Sequence, residues 1–159
     1  PDAILSHDDW GAKDRLFMSR EIWLGLFKPR YEKLYSYIHS RGVQVIHHAD
    51  SYLADIADDL LDCHIDVWQG VLPSNNVPEL LKKFNGHILL MGGLDAGAID
   101  IPDWTPEIVK NEVERCISQC QGLPGFIPCM TYGRPGSIFP GVYEEVNQVI
   151  DQINLSLQR

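Results

Sequence analysis

The chain has 159 residues, 45% hydrophobic and 22% charged, which suits one globular domain with a real core. A net charge of -9 excludes a nucleic-acid-binding role, because a phosphate backbone needs a basic face, and residues such as Lys82-Lys83 are scattered. No apolar run approaches the ~20 residues of a membrane span, so no membrane partner is expected.

Ala3 to Ser6 reads as a first strand, ending at His7-Asp8-Asp9-Trp10-Gly11. Ser19 reads as the N-cap of a helix whose apolar stripe runs from Ile22 and Trp23 through Leu26, Phe27, Tyr31, Leu34, Tyr35 and Ile38. Pro29 should kink or divide that helix, and Arg41-Gly42 should end it. Val43 to His48 is a second strand and Ser51 to Cys63 a second helix, with Leu53, Ile56, Ala57, Leu60 and Leu61 at helical spacing. Ile65 to Gln69 is a third strand, Val77 to Phe84 a short helix, and His87 to Met91 a fourth strand that ends at Gly92-Gly93-Leu94-Asp95. Thr105 caps a long helix to Gln121 with Pro106 at its first position. Gly125 to Cys129 is a fifth strand, and Val142 to Leu157 a closing helix.

Apolar strands alternating with helices mean an α/β fold with a parallel sheet covered by helices. A doubly wound sheet and a (β/α) barrel both fit that alternation. No glycine-rich phosphate loop follows any strand, so nucleotide binding has no support. Polar or reactive residues instead sit at each strand end: His7, Asp8 and Asp9, then His48 and Asp50, then Gln69, Asp95 and Cys129. The strands of a barrel bring such tips to one mouth, which favours a (β/α)8 TIM-type barrel. A complete barrel takes eight units and typically ~250 residues, so a partial barrel is expected. The chain starts at Pro1-Asp2-Ala3 without Met or signal-peptide features, and is expected to begin inside a longer protein. Open sheet edges predict that it pairs with another copy as a homo-oligomer or belongs to that longer protein, with little activity by itself. The four cysteines form no CxxC pair and fit reduced thiols in a cytoplasmic protein, with Cys116 and Cys120 buried on one helix face.

His47-His48-Ala49-Asp50-Ser51 is the densest chemical motif. Two imidazoles and a carboxylate at a strand-to-helix turn can bind a metal or move a proton. Strand alternation sends His47 and His48 to opposite faces, so His47 is expected to be packed and only His48 to reach the mouth. The same argument leaves one of Asp8 and Asp9 at the mouth. Asp9 is the candidate for holding substrate NH groups or positioning a proton, with an Asx turn before Gly11 as the structural alternative. Gln69 is a plausible polar substrate contact. Asp95 is a further candidate, although holding the turn after Gly92-Gly93 is favoured for it. Arg134, in the loop Tyr132-Gly133-Arg134-Pro135-Gly136-Ser137, could grip a substrate carboxylate. Trp10, Trp68 and Trp104 are expected in the core.

The order and spacing of several short motifs carry a resemblance. Asp8-Asp9-Trp10-Gly11, Leu16-Phe17-Met18-Ser19, Phe27-Lys28-Pro29-Arg30-Tyr31, Arg41-Gly42, the strand ending at His48, Ile65-Asp66-Val67 and Gly92-Gly93-Leu94-Asp95 look like the C-terminal half of the uroporphyrinogen decarboxylase-like superfamily. The resemblance implies a (β/α)8 barrel of which this chain supplies the later βα units. Two activities come with it: methyl transfer between a corrinoid on a partner protein and a zinc-activated acceptor, which is favoured, and decarboxylation of a tetrapyrrole without a metal. The decarboxylase lyases would use an aspartate for pyrrole NH groups and an arginine for carboxylates. A non-catalytic partner domain in a corrinoid system is a third possibility. In the methyltransferase branch a strand ends in His-x-Cys and a later Cys completes the zinc site. Here His48 matches the histidine, Cys129 falls near the later cysteine, and Asp50 stands where the middle cysteine would be. The implied metal ligands are therefore His48, Asp50 and Cys129, a harder set than one with two thiolates.

Overall fold

The structure is a computed structural model, and it describes residues 1–132 and 136–157. Its elements are β1 (Ala3–His7), α1 (Arg20–Ile22), a π-helical turn (Trp23–Phe27), α2 (Lys28–His39), β2 (Gln44–His48), a 3-10 turn (Ala54–Ile56), α3 (Ala57–Asp62), β3 (Val67–Val71), α4 (Val77–Phe84), β4 (Leu89–Gly93), α5 (Ala96–Ile99), α6 (Pro106–Cys120), β5 (Phe126–Cys129) and α7 (Val142–Leu157). All four strand pairings are parallel, and the sheet order is β1-β2-β3-β4-β5. Each strand therefore lies beside the one before it. A doubly wound sheet would reverse direction at a switch point. Sequential winding is what consecutive units of a barrel produce. Among the described residues the sheet is open, with β1 and β5 at its edges.

Strand alternation gives the sheet two unlike faces. One register row is Ser6, His47, Trp68, Leu90 and Phe126. This face lies under the helices, and His47, Trp68 and Leu90 are fully buried. The adjacent row is His7, His48, Gln69, Met91 and Ile127. That face is less covered: Ile127 and, one step lower on β1, Leu5 are exposed. One core unites Trp10, Trp23, Tyr35, Leu53, Trp68 and Phe84 against β2 to β4. A second joins Val109, Val113, Cys116, Val142 and Val146 beneath α6 and α7. Trp10 and Trp68 are core residues as expected, and Cys116 and Cys120 are buried.

Several element boundaries follow from particular contacts. Ser19 Oγ accepts from the Ile22 N–H at 3.3 Å, and Thr105 Oγ1 accepts from the Ile108 N–H at 3.3 Å, so both expected caps form. Pro29 divides its helix as expected. It lacks the N–H that would bond Gly25, and the backbone widens into the π turn just before α2. The expected helix from Ser51 instead starts at Ala54. The Tyr52 N–H donates to the Ala12 carbonyl at 2.8 Å and the Leu53 N–H to Asn75 Oδ1 at 2.7 Å, so these donors are committed to distant partners. β3 and β4 also run two residues beyond the expected Gln69 and Met91. Gly70 and Gly92 permit this: both have positive φ, and a Cβ on either would sit 2.8 Å from a carbonyl oxygen of the neighbouring strand or the residue following it.

Asn75 ties these segments together. Its Oδ1 holds Leu53, and its Nδ2 donates to the Ser51 and Leu72 carbonyls at 2.9 and 3.3 Å. The side chain is buried. Asn75→Ala leaves the Leu53 N–H without a partner, and the unsatisfied group should cost about 2 kcal/mol. Urea unfolding checks this: the midpoint should fall with an unchanged slope, and a variant as stable as the parent would remove this role.

Candidate active site

The carboxyl ends of β1 and β2 are locked together by register, which places His7 beside His48 on the less covered face. Their ring centroids are 4.4 Å apart. The pairing continues one step further, the Asp8 N–H donating to the His48 carbonyl at 3.1 Å. The two aspartates then part. Asp8 turns under the helices, where Oδ2 accepts from Trp10 Nε1 at 3.1 Å and from the Tyr31 hydroxyl. Burial and that carboxylate together push the Tyr31 hydroxyl up to about 12. Asp9 stays at the mouth, with Oδ1 accepting from the Asp50 N–H at 2.7 Å. Its other oxygen makes no hydrogen bond among the described residues.

His47 is the packed histidine that alternation predicts. Its ring stacks on Trp10 at 3.9 Å, and Nδ1 lies 2.8 Å from the Tyr35 hydroxyl, which itself donates to Ser6 Oγ. Nε2 is buried without a hydrogen-bond partner among the described residues. Burial drives its pKa down to about 4, against a smaller upward pull from Asp8, so the ring is neutral at neutral pH.

His48 sits differently. Its Nδ1 contacts Gln69 Oε1, the neighbour in the next strand, and Gln69 Nε2 donates to the Thr131 carbonyl at 3.1 Å. Because the amide nitrogen is occupied by a carbonyl, Oε1 must face the ring and accept from it. His48 thus carries its proton on Nδ1, and Nε2 holds the free lone pair. Gln69, expected as a substrate contact, acts here on His48.

The remaining candidates surround an adjoining cavity of about 500 Å³, whose wall includes Lys13, Asp50, Asp95, Asp100, Cys129 and Tyr132. Asp50 is half-buried, and its carboxyl makes no hydrogen bond among the described residues. Burial raises its pKa, while the nearby His48 lowers it and Asp9 raises it. Asp95 caps α5, Oδ1 accepting from the Gly97 N–H at 3.1 Å, which is the turn-holding role favoured for it. Tyr132 donates to Asp100 Oδ2 at 2.9 Å. Arg134 lies outside the described residues.

Among the described residues, ligand atoms of three His, Cys, Asp or Glu side chains fall within 4.8 Å of one another at one place: His7, Asp9 and His48. Of the ligands the resemblance implied, only His48 joins this group; Asp50 and Cys129 face the cavity instead. The physical reason is register. His7 is on the strand next to His48, whereas Cys129 is on β5, three strands away. His7 was legible only as part of a polar tip. The overlooked signal is a repeated His-x-Asp at the first two strand ends, His7-Asp8-Asp9 and His48-Ala49-Asp50. Lys13, Asp100 and Tyr132 reach the cavity through tertiary folding and had no comparable signal.

No protein-family model matches the sequence, and no curated protein matches it. A solved structure, a methyltransferase from Methanosarcina mazei, matches with a TM-score of 0.71 and 16% identity over 96% of this chain. The chain spans 42% of the length of that protein. At this identity the likeness establishes the fold, and the five parallel units correspond to part of a larger architecture.

Cys129 supplies a direct test of the cavity wall. Burial moves its thiol from an ordinary 9.0 up to about 11, so the thiolate fraction shrinks at any pH below that range. At pH 8 the fraction should drop from about a tenth to about a thousandth, and alkylation should slow ~100-fold relative to an open thiol. The rate should then climb as pH rises toward 11. Site-resolved mass spectrometry after timed iodoacetamide exposure reads this, and rapid labelling of Cys129 at pH 7 would contradict it.

Proposed function

We propose that the protein is a methyltransferase of the uroporphyrinogen decarboxylase-like type, moving a methyl group from a corrinoid on a partner protein to an acceptor held at the strand ends. The observation that carries this reading is the placement of His7, Asp9 and His48 beside the cavity lined by Asp50 and Cys129. The β1–β2 end supplies ligands and the cavity supplies room, and the backbone bond from Asp50 to Asp9 joins the two. The architecture shared with the Methanosarcina mazei methyltransferase supports the same reading.

A divalent ion bound at this end, zinc in the first instance, would supply Lewis acidity that lowers the pKa of a coordinated acceptor. The chain's own residues do the rest. Gln69 holds the His48 ring with Nε2 free. Asp50, lacking a hydrogen-bond partner among the described residues and next to His48, is placed to take the acceptor's proton. The corrinoid would supply the methyl group to the acceptor's lone pair and would keep both electrons of its cobalt–carbon bond.

The test uses the protein at its natural length, with methylcob(III)alamin as donor and a small thiol or alcohol as acceptor. Demethylation followed by the cobalt spectrum should proceed with the parent and fall at least ~100-fold in His48→Ala, with Gln69→Ala intermediate at about 10-fold. A protein inert toward the methylated corrinoid, yet binding a porphyrinogen tightly, would replace methyl transfer by tetrapyrrole decarboxylation.

A further inference from the structure

We propose that His7, Asp9 and His48 form a binding site for a first-row divalent metal ion, with two imidazole nitrogens and one carboxylate oxygen as its protein ligands and no sulfur. This deepens the acceptor activation proposed above by naming the ligand set.

The first argument is distance. The ligand atoms of the three residues lie within 4.8 Å of one another. An ion with bonds of about 2.1 Å holds its ligands ~3.4 Å apart in tetrahedral geometry and at most ~4.2 Å apart. The required contraction is on the order of 1 Å, which side-chain rotation supplies without moving backbone. The backbone is well fixed, because His7 and His48 are register partners in a parallel pair and Asp9 is two residues beyond the strand.

The second argument is how each ligand is held. Metal-bound histidines usually donate their other ring N–H to an acceptor, which sets the tautomer and strengthens the donor nitrogen. The Gln69 amide does this to His48, and its own orientation is fixed by Thr131. Asp9 is steadied through Oδ1 by the Asp50 N–H, which leaves the second oxygen for an ion. The His7 side chain makes no hydrogen bond among the described residues, and its ring rests against His48. A strand-end histidine with no structural partner, an oriented histidine and a half-used carboxylate are what an ion site needs before it is filled.

The third argument is chemistry. Two imidazoles and a carboxylate suit zinc and its first-row neighbours and leave positions open for an acceptor. The Asp50 carboxylate beyond Asp9 adds negative charge near the site without being a ligand. Cys129, held as a protonated thiol in the cavity wall, is set apart from it.

Metal binding by the chelator-stripped protein, titrated with zinc and then cobalt(II), tests this. One ion per chain should bind. His7→Ala and Asp9→Asn should each weaken binding at least ~100-fold, Gln69→Leu about 10-fold, and Cys129→Ser less than 2-fold. The cobalt(II) form should show d–d absorption without a sulfur-to-cobalt charge-transfer band. His7→Gln, which keeps the ring-sized polar side chain, separates lost ligation from lost folding, with circular dichroism as the control. No stoichiometric ion, indifference to His7→Gln, or a charge-transfer band abolished by Cys129→Ser would overturn the assignment. An ion bound through these residues in a protein without methyl transfer would leave the site standing and remove the methyltransferase reading alone.

Discussion

The in-register pairing of β1 with β2 is the constraint on which the site depends. It puts Ser6 beside His47 and His7 beside His48, and the pleat then assigns the two pairs to opposite faces. A shift of one residue would exchange them, exposing His47 and burying His48 against Trp10. Such a slip is opposed on the covered face by the Trp10 stack and the Tyr35 hydroxyl, which bridges Ser6 and His47. The packing under the helices therefore fixes the chemistry on the other side of the sheet. Breaking one of these hydrogen bonds inside the core costs on the order of 1–3 kcal/mol, and a slip would break several together.

Tyr31 and Tyr35 extend this coupling to α2. Tyr31 donates to Asp8 and packs its ring edge on Trp10, while Tyr35 reaches β1 and β2. Both belong to the helix whose start is displaced by the π turn before Lys28. Trp23, inside that turn, is buried and donates Nε1 to Asp59 at 3.1 Å, and Arg20 pairs with the same carboxylate at 2.8 Å. A buried carboxylate is costly when unpaired, so these two donors offset a desolvation penalty of several kcal/mol. Through them, the helical segment ahead of α2 is anchored to α3.

Much of this was legible in the sequence because it is local. Alternating apolar segments marked all five strands, Ser19 and Thr105 marked two helix starts, and Pro29 marked a break. The histidine faces followed from the two-residue repeat of a strand. What escaped depends on contacts between distant segments. Tyr52 and Leu53 have helical spacing, but Ala12 and Asn75 hold their N–H groups in another conformation. Gly92 and Gly93 look like a turn, yet their freedom at positive φ lets β4 continue past Val71. Which histidine adjoins His48 is decided by register between strands, for which one strand's pattern holds no signal.

Asp50 serves the site through its backbone and its side chain separately. Its N–H, common to any residue but proline, holds Asp9 at 2.7 Å, so the contribution of position 50 to Asp9 is independent of its side chain. The side chain is thereby released to the cavity, where it stands with Cys129 and opposite charge is supplied by Lys13. The neighbouring strand end carries the like motif His7-Asp8-Asp9, and register sets His7 beside His48. The two strand ends thus act as one unit: the β1 end brings His7 and Asp9, and β2 brings His48 along with the backbone bond that holds Asp9 in place.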